Sequence, residues 1–100
     1  MKKFIAATSI FFTLGFSAFA NDKSYCTSLS EMAESFMRAR QIEVPMSKLI
    51  EHAKGDPIIE SVVVAAYNRP SFRTEQFAQR EIAMFKNQVY MECFKIHGNK

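Results

Sequence analysis

The sequence predicts an all-α protein: a small up-down bundle of about four helices closed by one disulfide. Three observations lead there. Apolar residues recur at helical spacing from residue 24 onward. Beyond residue 20 the only glycines are Gly55 and Gly98, too few for a turn-rich β-domain. Two cysteines, Cys26 and Cys93, stand near the two ends of that helical stretch.

Residues 1–20 read as a cleaved export signal and are set aside from the fold. Lys2 and Lys3 form a charged start, residues 4–16 an apolar run, and Ala18, Phe19 and Ala20 a cleavage site with small residues at −3 and −1. A membrane anchor needs about 20 apolar residues, more than this run offers. A lipoprotein would place a cysteine directly after the run, but five residues intervene before Cys26. The expected mature chain is a single domain over residues 21–100, periplasmic or secreted, with no stable membrane anchor. Removing Lys2 and Lys3 from the 13 basic residues leaves 11 against 10 acidic ones, a net charge of +1. The basic character of the whole chain comes largely from its first residues, which removes the argument for nucleic acid.

The first helix is expected over 24–41, capped by Asp22 or Ser24, with Tyr25, Leu29, Met32 and Phe36 as its buried stripe. Arg38 and Arg40 suit the negative end of its dipole. Pro45 restarts the chain in the first turn of a short helix, 46–54, which ends at Gly55 in a left-handed cap. A third helix over 57–68 takes Asp56 as cap and Pro57 as first residue, buries Ile58, Ile59, Val62, Val63, Ala66 and Tyr67, and stops at Pro70. The run Val62, Val63, Val64 also has strand propensity, but a lone strand finds no pairing partner in this chain. The last helix, 75–97, follows Thr74 as cap. Ala78, Ile82, Phe85, Val89, Cys93 and Ile96 form its seam.

Four helices joined by short loops run up, down, up, down, so the start of the first and the end of the fourth share one end of the bundle. Cys26 and Cys93 occupy those places and are expected to bridge. The closed loop of about 68 residues would stabilise the fold by about 4 kcal/mol in the chain-entropy model, comparable with the whole net stability of a small domain. A redox role would favour a close Cys-x-x-Cys pair, which the sequence lacks.

Little in the sequence points to catalysis. His52 and His97 each lack the neighbouring ligand a helical metal site needs, so no metal and no cofactor is expected. Met32, Met37, Met84 and Met91 match helix faces and read as core filling. Glu31 and Glu34 read as a solvated face. With both thiols bridged, no nucleophile has a base nearby in sequence, and an enzyme is not expected.

One constellation stands out. Arg69, Arg73 and Arg80 are interleaved with Tyr67, Phe72 and Phe77, the composition of interface hot spots. The up-down order brings this loop to the end that carries Arg38 and Arg40. Arg38, Arg40, Tyr67, Arg69, Phe72 and Arg73 are therefore the candidate binding residues, with Glu43 and Glu75 as partial neutralisers and with Arg69 and Arg73 expected to be exposed. The alternative is that the arginines cap helix ends while Phe72 and Phe77 plug the bundle.

The blocks Ala39-Arg40-Gln41, Ala66-Tyr67 through Pro70, and Cys93, within a layout that spans nearly all of the mature chain, resemble a group of small exported proteins of Gram-negative bacteria and their prophages. That resemblance implies an exported helical protein and supplies no catalytic residues. In plan alone the chain is similar to periplasmic immunity proteins against cell-wall hydrolases and to periplasmic acid-stress chaperones. The expected function is a non-catalytic protein-binding module, of inhibitor or immunity type. A chaperone that opens at low pH is the alternative.

Overall fold

A computed structural model describes residues 21–98, and the expected export signal, residues 1–20, lies outside them. Four α-helices follow one another, α1 (Asn21–Gln41), α2 (Met46–Ala53), α3 (Pro57–Tyr67) and α4 (Glu75–Cys93), and a π-helical turn, Phe94–Gly98, ends the described chain. No strand occurs among the described residues, so the Val62–Val64 run is helical.

The local signals explain most boundaries. Asp56 accepts from the amides of Ile58 (2.9 Å) and Ile59 (3.2 Å), occupying two of the four donors that a helix start leaves unpaired. Pro57 sits in the first turn of α3, where no intrahelical amide is needed. Helix α2 stops because Lys54 turns left-handed at φ 52°, with Gly55 following at φ 82°. Three expectations need correction here. Helix α1 already runs at Asn21, so Asp22 and Ser24 lie inside it rather than ahead of it. Pro45 is the residue before α2 rather than within its first turn, and Thr74 precedes α4 without a side-chain capping bond.

Helix α1, about 31 Å long at 1.5 Å per residue, is the element the others pack against. Helix α4 lies antiparallel along it, from Cys26 opposite Cys93 to Glu34 opposite Lys86. Helix α3 packs on a second side of α1, and α2 packs on α3. The core gathers Cys26, Leu29, Ala33, Phe36, Met37, Leu49, Val62, Val63, Ala66, Ile82, Phe85 and Cys93.

The buried stripe of α1 is rotated from the expected one. Leu29 and Phe36 are buried as predicted, but Tyr25 and Met32 are exposed, while Cys26, Ser30, Ala33 and Met37 face inward. The bridge gives the reason. Cys26 must point at Cys93, which turns Ser30 and Ala33, one and two turns further along the same face, inward as well. Ser30 keeps its hydroxyl bonded to the carbonyl of Thr27 at 2.8 Å, which satisfies it locally.

Two further corrections concern α3 and α4. Ile58 is exposed at the start of α3, whereas Val62, Val63 and Ala66 are buried. The seam of α4 ends at Cys93. In the π-helical turn that follows, the wider i→i+5 winding changes the angular step, and Ile96 falls out of the seam to 63% exposure. Met37 fills the core, but Met32, Met84 and Met91 do not.

The Cys26–Cys93 bridge joins residues 67 apart in sequence, and no free cysteine remains among the described residues. Cys93→Ser should therefore lower unfolding stability by about 2–5 kcal/mol, the usual loss for a small domain, read from urea denaturation. An unchanged midpoint would contradict the role given to the bridge.

Candidate functional site

The end opposite the bridge holds all six candidate binding residues, but their roles divide. The last turn of α1 reaches across to the loop between α3 and α4. Arg40 Nε donates to the carbonyl of Arg69 at 3.0 Å, and Gln41 Nε2 donates to that of Pro70 at 2.9 Å. Gln41 Oε1 accepts from the amide of Phe72 at 2.8 Å. One amide side chain thus grips both sides of residue 71. The Tyr67 hydroxyl donates to the carbonyl of Val44, tying α3 to the first loop. The Arg40 guanidinium lies 5.4 Å from the centre of the Tyr67 ring. Partial burial pushes the Tyr67 hydroxyl pKa above its ordinary value, opposed by the nearby Arg40 charge.

Arg69 was expected to be exposed. It turns inward instead, bonds the buried Glu81 through Nε, and donates from a terminal nitrogen to Gln88 Oε1 at 2.8 Å. Its guanidinium also sits 5.8 Å from the Phe85 ring centre, against the core. The physical reason is Glu81. That carboxylate falls on the buried face of α4 between Ala78 and Phe85, and a buried carboxylate needs a paired cation.

Arg38 pairs with Glu34 within α1 at 2.8 Å, and Lys86 of α4 reaches the other oxygen of Glu34 at 2.9 Å. Glu34 is therefore a bridge between helices, not a purely solvated charge. Those two hydrogen bonds, Lys86 first and Arg38 second, hold the Glu34 carboxyl below its ordinary value of 4.5. Its contribution to stability is fully present above that ordinary value. It is lost as the pH falls through the lowered one.

Phe72 and Arg73 remain on the surface. Phe72 meets Phe77 at 6.0 Å between ring centres, and Phe77 in turn lies under Arg80 at 5.6 Å. Both phenylalanines are substantially exposed, so neither plugs the bundle. Together with Arg38, Gln41, Ile42 and Glu75, Phe72 and Arg73 line a groove of about 400 Å³ between the end of α1 and the start of α4. Ile42 is 75% exposed beside it.

The arrangement brings Arg38, Phe72 and Arg73 together on one open groove and withdraws Arg40, Tyr67 and Arg69 into the frame behind it. Ile42 lies in the first loop of the end expected to dock a partner, whereas Gln41, Glu81 and Gln88 were not anticipated. Of these only Glu81 had a readable signal, since it lies three residues after Ala78 and four before Phe85, on the seam itself. His52 is exposed in the last turn of α2, and His97 meets the Tyr25 ring edge-on at 5.6 Å. Among the described residues no three acidic, histidine or cysteine side chains gather as a metal site would require, and no helix is long and apolar enough to cross a membrane.

Two outcomes follow from these pairs. Arg69→Ala should cost about 2 kcal/mol, between the values for exposed and fully buried ion pairs, by stranding Glu81. A double-mutant cycle with Glu81→Ala should return a coupling above about 1 kcal/mol, whereas additive losses would mean that the pair is not formed. Lys86→Ala should raise the Glu34 carboxyl pKa, followed by carboxyl-carbon NMR, and move the acid unfolding midpoint to higher pH.

Comparison with protein-family models, curated proteins and solved structures finds no match to this chain.

Proposed function

We propose that the chain is a non-catalytic binding module of the cell envelope, exported by residues 1–20 and active as a periplasmic or secreted protein against an acidic protein partner. The docking surface in this reading is the groove around Ile42, Phe72 and Arg73, which narrows the arginine-rich end expected from sequence. The observation that carries it is the Gln41 clamp. Bonds to Pro70 and Phe72 hold the loop in one conformation, so an exposed aromatic and an exposed arginine are presented without an ordering cost on binding. Arginine pairs bidentately with carboxylates and stacks on rings, which suits a protein surface bearing acidic groups. A non-catalytic role is supported by the thiol chemistry, since both cysteines are committed to the bridge. An inhibitor or immunity-type protein against an envelope-acting effector is the form of binder this reading favours, in line with the likeness of plan to periplasmic immunity proteins.

A low-pH chaperone is the second reading. The observation favouring it is that carboxylates tie elements together, Glu34 to Lys86 and Glu81 to Arg69, while Asp56 caps the start of α3. Neutralising them would loosen the bundle. Circular dichroism and dye binding at pH 2–3 separate the two. Reversible loss of packing with protection of client proteins would establish the chaperone in place of the specific binder.

The binder is tested by capture from envelope extract with wild-type protein and with Phe72→Ala and Arg73→Glu variants. A specifically captured protein should be lost from both variants, with affinity reduced about 30-fold or more if these are hot spots. Capture that survives both changes would reject this surface. Intact mass of the exported protein checks the compartment, and retention of residues 1–20 would contradict cleavage.

A further inference from the structure

A second groove opens at the bridged end, on the side of the bundle where α3 and α4 each pack on α1 but barely meet one another. Its volume is about 400 Å³, within the range of small-ligand sites at about 300–1,000 Å³. Leu29, Val62, Phe85 and Cys93 form its floor, so the bottom is core packing held by the bridge. Ile58 and Ala65 of α3 face Val89 of α4 across it. Tyr25, Ile96 and His97 stand at the mouth, where Tyr25, Ile58 and Ile96 leave large apolar surfaces exposed. Apolar exposure gathered around one concavity marks a binding site more often than scattered exposed residues do.

Among the described lining residues Glu92 is the only Asp, Glu, Lys or Arg side chain, with the imidazole of His97 also at the mouth, and Glu92 lies at the surface beside the apolar opening. Lys95, three residues on, does not line the groove. Arg69 approaches the inner end through Gln88, but its charge is met by Glu81 and its terminal nitrogen by Gln88 Oε1. A ligand here finds an apolar floor and the Glu92 carboxylate at the rim, while the Tyr25 ring beside the opening is already paired with His97. The carboxylate favours a cation.

We propose that this groove binds an amphiphile with a single apolar chain and a cationic head, the chain lying between α3 and α4 and the head against Glu92. This site is independent of the arginine-bearing groove at the other end.

The test uses decyltrimethylammonium and decanoate as probes of equal chain length, both below their micelle concentrations, at pH 8. Titration of the full, disulfide-bonded protein should show the ammonium binding about fivefold or more tighter than the carboxylate, the ratio expected from one rim charge. NMR shift changes should centre on Val62, Ala65, Val89 and Ile96. Glu92→Gln, at an exposed position, should fold normally and bring the two probes to within about twofold of each other. Equal affinity for both probes in the wild type, a preference unchanged in Glu92→Gln, or shifts centred on Phe72 and Arg73 would each overturn the proposal. So would ammonium affinity that falls as protein concentration rises, because a second copy or its helix would then be the occupant.

Discussion

Two loops turn at the end of this bundle opposite the disulfide, and the backbone groups they leave unpaired must find partners. The last turn of α1 and the end of α3 supply them. Arg40 and Gln41 take the carbonyls of Arg69 and Pro70 and the amide of Phe72, while Tyr67 takes the carbonyl of Val44. The Arg40 and Tyr67 bonds serve half-buried carbonyls, where losing the partner costs about as much as a lost hydrogen bond. The two Gln41 bonds are exposed and fix the loop's geometry in competition with water. Together these four contacts hold the loops and leave Phe72 and Arg73 outside.

The two ends are held by different physics. Cys26 and Cys93 tie α1 to α4 covalently, which mainly restricts the unfolded chain. The far end relies on side chain to backbone bonds and on the Arg69–Glu81 pair, whose desolvated charges reward keeping both partners and penalise losing one. Between them Lys86 and Arg38 share Glu34, a partly exposed and pH-dependent tie. A domain of this size buries a modest fraction of its surface and gains from anchoring both ends. The consequence for function is a division of surface. One groove sits on the polar, clamped end, and the other on the apolar, bridged end where α3 and α4 part.

Much of the fold was legible in the sequence because its signals are local. Asp56 marks a helix start through its side-chain cap, Pro57 and Gly55 mark helix ends through backbone geometry, and Ala78, Ile82, Phe85, Val89 and Cys93 declare a face by spacing. The rotation of α1 was legible only by setting the expected bridge against the apolar stripe: Tyr25 and Met32 satisfy the same periodicity as Cys26, Ala33 and Met37, and spacing alone does not decide between them. The winding of the Phe94–Gly98 turn was equally hidden, so Ile96 was assigned to a seam it leaves. In the candidate site the gathering of six residues at one end followed from topology. Their division into frame and surface did not, because Arg69 turns inward for a carboxylate 12 residues away, and the grip of Gln41 spans 31 residues to Phe72. Composition shows that arginines and aromatics are present. It does not show which of them the backbone has already used.

The clamp of α1 on the loop that presents Phe72 and Arg73 is open to amide hydrogen exchange at Phe72, with and without Gln41→Ala. A protected Phe72 amide is expected in the wild type, exchanging about tenfold faster in the variant, while the amides of Ala33, Phe36 and Met37 in the middle of α1 keep their protection. An unprotected Phe72 amide in the wild type, or one whose exchange Gln41→Ala leaves unchanged, would contradict it.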